Sequence, residues 1–263
     1  MYREWAATGI RGAVVWCGVA AGGAPTRVLP DGCLDLLWSS RSGLLVAGPD
    51  RTAHLSVSAP GERWVGLRLP PGVGPTVFGV PADELRDERV PFAQLWGRAA
   101  GELTARVDAA REAAAAPAPW SRRTGPPACP ELPEAVPAGP ETLPAVPVAA
   151  LLEAVAVARL RAAGGPDPLG ARVAARLAAG ATVAATAAEV GLGARALHRR
   201  SQALFGYGPK TLARILRMRR ALDLARAGTP LAEVAARTGY ADQAHLTREV
   251  KDLAGVPPTH LLP

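Results

Sequence analysis

The chain has 263 residues and a formal net charge of +7, enough length for two domains that each bury a core. No apolar run of about 18 residues is free of charges, which speaks against a membrane span, and Arg3 and Glu4 are followed by neither an apolar run nor a cleavage pattern, so no signal peptide is expected. The three cysteines, Cys17, Cys33 and Cys129, are odd in number and lack paired spacing, which argues against a disulfide framework or a zinc site and for a reduced, cytoplasmic protein.

Charge is segregated along the chain. Residues 1–166 hold sixteen basic and sixteen acidic side chains, whereas residues 167–263 hold fourteen and seven, the whole of the net charge. A neutral front and a basic back point to one part made for a polyanion.

Within residues 1–90 the segments Ala13–Val19, Leu34–Trp38, Leu44–Val46, His54–Ser58 and Trp64–Leu69 are apolar or alternating, and Gly, Pro and Asp clusters separate them. Such spacing predicts a β-sandwich or small barrel. From about Pro91 to Ala115 the residues Phe92, Leu95, Trp96, Ala99, Leu103, Val107 and Ala110 recur at helical spacing, a stripe fit to pack on the β domain or on a second copy. Residues 116–147 are rich in proline without apolar period, as in a linker, and 148–166 read as a linker helix closed by Gly164-Gly165. The expected division is therefore a β domain with trailing helix over 1–115, a linker over 116–147, a helix over 148–166 and a helical domain over 167–263.

The helical part is dense in start signals. Asp167-Pro168, Gly208-Pro209, Thr229-Pro230 and Pro257-Pro258 each set proline near a first helical position, while Thr182, Gly193 and Asp242 suit N-caps. Seven short helices are expected. The same part repeats: Ala187-Ala188 and Gly191 match Ala235-Ala236 and Gly239 at a separation of 48, and Leu197, Arg199, Leu204, Gly206 and Pro209 match Leu246, Arg248, Leu253, Gly255 and Pro258 at 49. Each unit is a helix with small residues, a glycine turn and a second helix with a buried stripe, the pattern of a helix-turn-helix. Opposite the stripe Leu246, Val250 and Leu253 lie Ala244, Thr247, Arg248 and Lys251, flanked by Gln243; in the first unit the corresponding face is Arg195, His198, Arg199 and Gln202. Guanidinium, amide and hydroxyl groups on an exposed helix face suit base edges in a major groove. Between the units, Pro209 to Ala227 would span about 28 Å as a helix, close to the ~34 Å between successive major-groove faces. Arg214, Arg217, Arg219 and Arg220 charge this spacer, with Arg217 and Arg220 open to phosphate contact or to a solvated face.

The segments GYGPKTL (206–212), Ala221-Leu222 and above all GYADQAHLTREVKDLAGVPPTHLL (239–262) resemble the AraC family of transcription regulators, over about residues 168–262. The resemblance implies two helix-turn-helix units joined by a long helix, with base contacts at Arg195, His198 and Arg199 in the first unit and Gln243, Thr247 and Arg248 in the second, and a phosphate contact at Lys210. Ser201 and Val250 depart from it, standing where the family carries a large aromatic core residue, so looser packing is expected there. In the front half VLPDGCLDLLW, VAGPD, VGLRLPPG and FGVPADELRDERVPFAQLWG resemble an N-terminal domain attached to AraC-type regulators, which implies a cupin-like β barrel for effector sensing or dimerisation. The fold class implied is α+β in two domains. The implied partners are double-stranded DNA, RNA polymerase, a small-molecule effector and a second copy of the chain, with no membrane, no cofactor and no enzymatic activity.

Other chemistry finds less support. His54 alone in the front half makes no metal site, and His198, His245 and His260 have no metal-ligand spacing. Asp31, Cys33 and Asp35, spaced by two, would share a strand face and line a ligand pocket, with Cys33 as a redox or alkylation sensor controlling DNA binding; alternatively Pro30-Asp31-Gly32 is a turn and Asp35 pairs with Arg63 or Arg68. Trp5, Trp16, Trp38 and Trp64 could line an apolar pocket or pack a core.

Overall fold

The computed structural model describes residues 2–115 and 145–262, so the proline-rich segment lies outside the described residues as far as 144. Eight strands form: β1 (Tyr2–Ala6), β2 (Val14–Val19), β3 (Thr26–Val28), β4 (Leu34–Ser39), β5 (Gly43–Ala47), β6 (His54–Ser56), β7 (Arg63–Leu69) and β8 (Arg89–Pro91). Six make an antiparallel sheet in the order β1-β2-β7-β4-β5-β8, while β3 and β6 pair as a separate ribbon. The five strands expected from pattern are present. β1, β3 and β8 escape such a reading: β1 is exposed along its whole length at the sheet edge, and the other two are three residues long with no alternating residues beyond their ends.

Alternation along the strands gives the sheet two different faces. From β4, Leu34, Leu36 and Trp38 point into the core together with Val15, Cys17, Val46, Val65 and Leu67. Against that face lie α1 (Gly74–Phe78), α2 (Phe92–Trp96), α3 (Arg98–Ala115) and α4 (Ala145–Ala162). The stripe expected from Pro91 to Ala115 thus packs on the β domain, and α4 contributes Val148, Ala149, Leu152, Ala156 and Leu160 to the same core. The stripe is broken at Gly97, whose φ of 50° and ψ of −119° end α2 before α3 begins. Beyond the break Leu103 and Val107 are buried as expected, with Ala100 in place of Ala99.

The basic part folds as α5 (Pro168–Ala178), α6 (Val183–Glu189), α7 (Ala194–Phe205), α8 (Pro209–Arg226), α9 (Leu231–Thr238) and α10 (Gln243–Ala254), ending in a 3-10 turn at Pro258–His260. Its caps follow the sequence closely. Asp167, Thr182 and Asp242 accept from the backbone N–H groups of Leu169, Ala185 and His245, relieving donors that the first helical turn leaves unpaired. A second core, built on Leu197, Phe205, Leu212, Ile215, Met218, Val234, Leu246 and Val250, joins the six helices. Ser201 is wholly buried within α7, and among the described residues its hydroxyl finds no partner. Ser201→Ala should therefore raise stability by about 1 kcal/mol, since it removes a buried group whose desolvation is uncompensated. Thermal unfolding measures this, and an unchanged or lowered midpoint would mean that the hydroxyl is satisfied.

Candidate nucleic-acid interface

The two second helices of the repeat, α7 and α10, present the expected side chains to solvent. Arg195, His198 and Arg199 are exposed on α7, Gln243 and Arg248 on α10, and Thr247 is half-buried beside them. Lys210 is exposed at the start of α8. Arg195, Arg199, Lys210, Gln243 and Arg248 have no side-chain hydrogen bond or ion pair among the described residues. His198 differs, because its imidazole lies over the Gly208 turn, where a Cβ would come within 2.7 Å of Nε2. These residues occupy the N-terminal halves of their helices, the part that enters the groove when such a motif docks.

The arginines of α8 behave otherwise. Arg217 donates through Nη2 to Glu249 Oε1 at 2.6 Å and through Nη1 to the Gly239 carbonyl at 3.3 Å, and its guanidinium stacks over Tyr240 at 4.2 Å from the ring centroid. Arg214 donates to Glu249 Oε2 at 2.9 Å. Burial by itself would raise the Glu249 carboxyl, yet the hydrogen bonds from Arg217 and Arg214 outweigh it and hold the carboxyl below its usual range. Arg220 donates to the carbonyls of Ala178, at 2.8 Å, and Thr238, at 3.1 Å. Those are the last residues of α5 and α9, so one guanidinium caps the negative ends of the helix that precedes the first unit and of the first helix of the second. The phosphate contacts considered for Arg217 and Arg220 are corrected accordingly: Arg217 is committed to the second unit, and Arg220 ties α8 to α5 and α9. Sequence reading missed Glu249, although an acidic residue at the edge of the buried stripe, opposite a helix with four arginines, was the available signal.

On its other face the sheet forms a cavity of about 820 Å³ with the β3–β6 ribbon. Trp16, Trp64, Leu37 and Leu45 line it, with Asp31, Asp35 and Arg68 as its polar floor and Arg219 and Arg226 of α8 reaching in from the helical domain. Gly66 makes room for the Trp16 indole, since a Cβ there would stand 2.3 Å from the ring. Of the four tryptophans considered, Trp16 and Trp64 line the cavity, Trp38 is core and Trp5 is partly exposed. His54 also faces the cavity, with burial and then Arg89 lowering its pKa.

Asp31, Cys33 and Asp35 do not act as one face. Asp31 Oδ1 accepts from the Cys33 N–H at 2.9 Å, forming the turn, and Arg68 bridges Asp31 and Asp35 at 3.3 Å each. Burial pushes Asp35 up to about 6, with Arg68 opposing and Asp31 reinforcing the rise. The Cys33 thiol is held well above its ordinary value by burial and then by the two carboxylates. Cys33 is half-buried, and a thiol raised in this way runs against the lowered value that thiolate-based sensing needs.

A family model described as a helix-turn-helix domain matches residues 186–262, and one described as a domain of unknown function, DUF6597, matches residues 13–91. No curated protein is significantly similar to the chain. Among solved structures, a probable AraC family transcriptional regulator from Rhodopseudomonas palustris is 23% identical, with 36% of this chain and 95% of that one covered and a TM-score of 0.33. ToxT from Vibrio cholerae is 9% identical over 99% of this chain and 96% of that one, with a TM-score of 0.45. The unsaturated fatty acid-bound form of Vibrio cholerae ToxT is likewise 9% identical, over 99% and 94%, with a TM-score of 0.45. Among the described residues no helix is long and apolar enough to cross a membrane. A helix-turn-helix domain of the AraC type thus follows a DUF6597 domain in this chain.

Proposed function

We propose that the chain reads a specific double-stranded site by laying α7 and α10 in successive major grooves, with α8 as the spacer. One observation carries the reading: Arg195, Arg199, Gln243 and Arg248, which have no side-chain partner among the described residues, lie on the N-terminal halves of those two helices, while Arg214, Arg217 and Arg220 are committed internally. Arg195, Arg199 and Arg248 have the donors for guanine or phosphate, Gln243 for adenine, His198 and Thr247 for flanking contacts, and Lys210 for a phosphate. Arg248→Ala should weaken specific binding by about 1–3 kcal/mol and relax preference at one base pair. Binding of a randomised duplex pool measures both, and unchanged affinity and preference would remove Arg248 from the reading surface.

The cavity is the proposed seat of a small-molecule effector. Aromatic walls over a charged floor match the general make-up of small-molecule sites. Arg219 and Arg226 bring the spacer helix into its wall, so an occupant would touch the element that separates the two reading helices.

A further inference from the structure

The β domain holds the helical domain at two places, the C-terminal ends of α7 and of α10. Arg86 Nη1 donates to the carbonyl of Gly206 at 2.9 Å, and Arg27 Nη1 donates to that of Ala254 at 2.7 Å. The backbone N–H of Ala53 donates to the Leu253 carbonyl, also at 2.7 Å. Gly206 and Gly255 close α7 and α10 in the left-handed conformation, with φ of 83° and 75°, and they are matching positions of the repeat. At Gly206 the β domain approaches so closely that only glycine fits, and at Gly255 the close neighbour is the Arg27 guanidinium itself. A Cβ on Gly206 would stand 2.5 Å from Pro49 Cγ, and one on Gly255 2.9 Å from Arg27 Nη1.

Carbonyls at the C-terminal end of a helix lack partners within it and carry the negative end of its dipole, so guanidinium donors there are both satisfied and satisfying. The gripped ends are the C-terminal ones, and the exposed N-terminal halves remain free for DNA. Within the helical domain α7 and α10 are joined through α8 and the turn at 227–230. The β domain adds a second, independent connection between the same two helices, closing a ring.

We propose that Arg27 and Arg86 are positioning residues that fix the separation of the two recognition helices, so that the β domain sets the spacing between the two DNA boxes that the chain accepts. This rests on the reading that both α7 and α10 bind DNA. Because Arg27 also lines the cavity, one end of the clamp lies within reach of the cavity's occupant.

The test uses the full chain and a duplex it has selected from a random pool, footprinted to locate both boxes. One or two base pairs are then inserted between them, each moving the second box by about 3.4 Å and turning it by roughly 35°. The wild-type chain should lose affinity about tenfold or more on insertion. Arg27→Ala and Arg86→Ala should each flatten this loss to about threefold or less while keeping the base preference within each box, and Arg27→Lys should restore much of the spacing dependence. Arg27→Ala and Arg86→Ala disturb different units from different parts of the β domain, so if one fails to fold by circular dichroism the other still reports. A spacing profile unchanged in the variants, or a loss of affinity uniform across all spacings, would overturn the clamp. Failure of the wild-type chain to select any duplex, or a footprint with a single box, would instead overturn the two-helix reading beneath it.

Discussion

Glu249→Ala is expected to destabilise the helical domain by about 2–3 kcal/mol and to reduce DNA affinity beyond what the lost folded fraction explains. Removing one partner of a buried ion pair commonly costs about 3–5 kcal/mol because the other charge is left uncompensated. The lower figure applies here because Arg214 and Arg217 keep 43% and 27% of their side-chain surface in water, against 7% for Glu249. Glu249 sits on α10 between Arg248, which faces solvent, and Val250, which faces the core. Its two arginines come from α8, so the pair fixes the rotation of α10 about its own axis. A turn of that helix would swing Gln243, Thr247 and Arg248 together off the groove.

The pH dependence separates this role from simple packing. A carboxyl held below its unfolded value adds stability that is present above about 4.5, the ordinary glutamate value, and is lost as pH falls through the depressed one. Wild-type protein should therefore lose stability more steeply below pH ~4.5 than Glu249→Gln, which has no proton to take up there. Urea unfolding across that range measures the difference. Parallel curves would show that Glu249 is not held by its arginines.

Much of this was legible in the sequence, for identifiable reasons. The caps Asp167, Thr182 and Asp242 act within three residues of themselves, and local hydrogen bonds leave local signatures. The face bearing Arg195, Arg199, Gln243 and Arg248 follows from helical geometry alone once Leu246, Val250 and Leu253 are taken as buried. What stayed hidden is the chemistry of arginines bonded to main-chain carbonyls. Arg27, Arg86 and Arg220 cap helices 18 to 227 residues distant, and a carbonyl belongs to every residue type, so no complementary side chain marks the partner. The cavity was half visible. Alternation along β4 exposes Asp35 and Leu37 on the face opposite Leu34 and Leu36, but only the three-residue ribbon strands turn that face into an enclosure. The break at Gly97 was also beyond a periodic reading, because it depends on a single backbone conformation.

Asp35→Asn is expected to make the protein more stable at neutral pH. In the folded chain the Asp35 carboxyl keeps its proton up to about 6, against 3.8 for an unhindered aspartate, because burial outweighs the pull of Arg68. Between those values the folded state binds more protons than the unfolded one, so stability must fall as pH rises through that window. The upper bound on the loss is about 3 kcal/mol, from 1.36 kcal/mol per unit of pKa. Arg68 retains Asp31 at 3.3 Å when Asp35 is neutralised, but gives up one charged partner. The net gain for Asp35→Asn at pH 7 should then be about 1–2 kcal/mol, shrinking as pH falls towards 4 and vanishing below about pH 3, where wild-type Asp35 is protonated in both states. Chemical unfolding of both proteins from pH 4 to 7 reads the crossover. Curves that stay parallel would mean that Arg68 satisfies Asp35 fully and that the cavity floor keeps its charge over the whole range. A wild-type curve that falls while the variant's stays flat would mean that the polar floor changes charge near pH 6, and that an occupant of the cavity meets a different partner on either side of that pH.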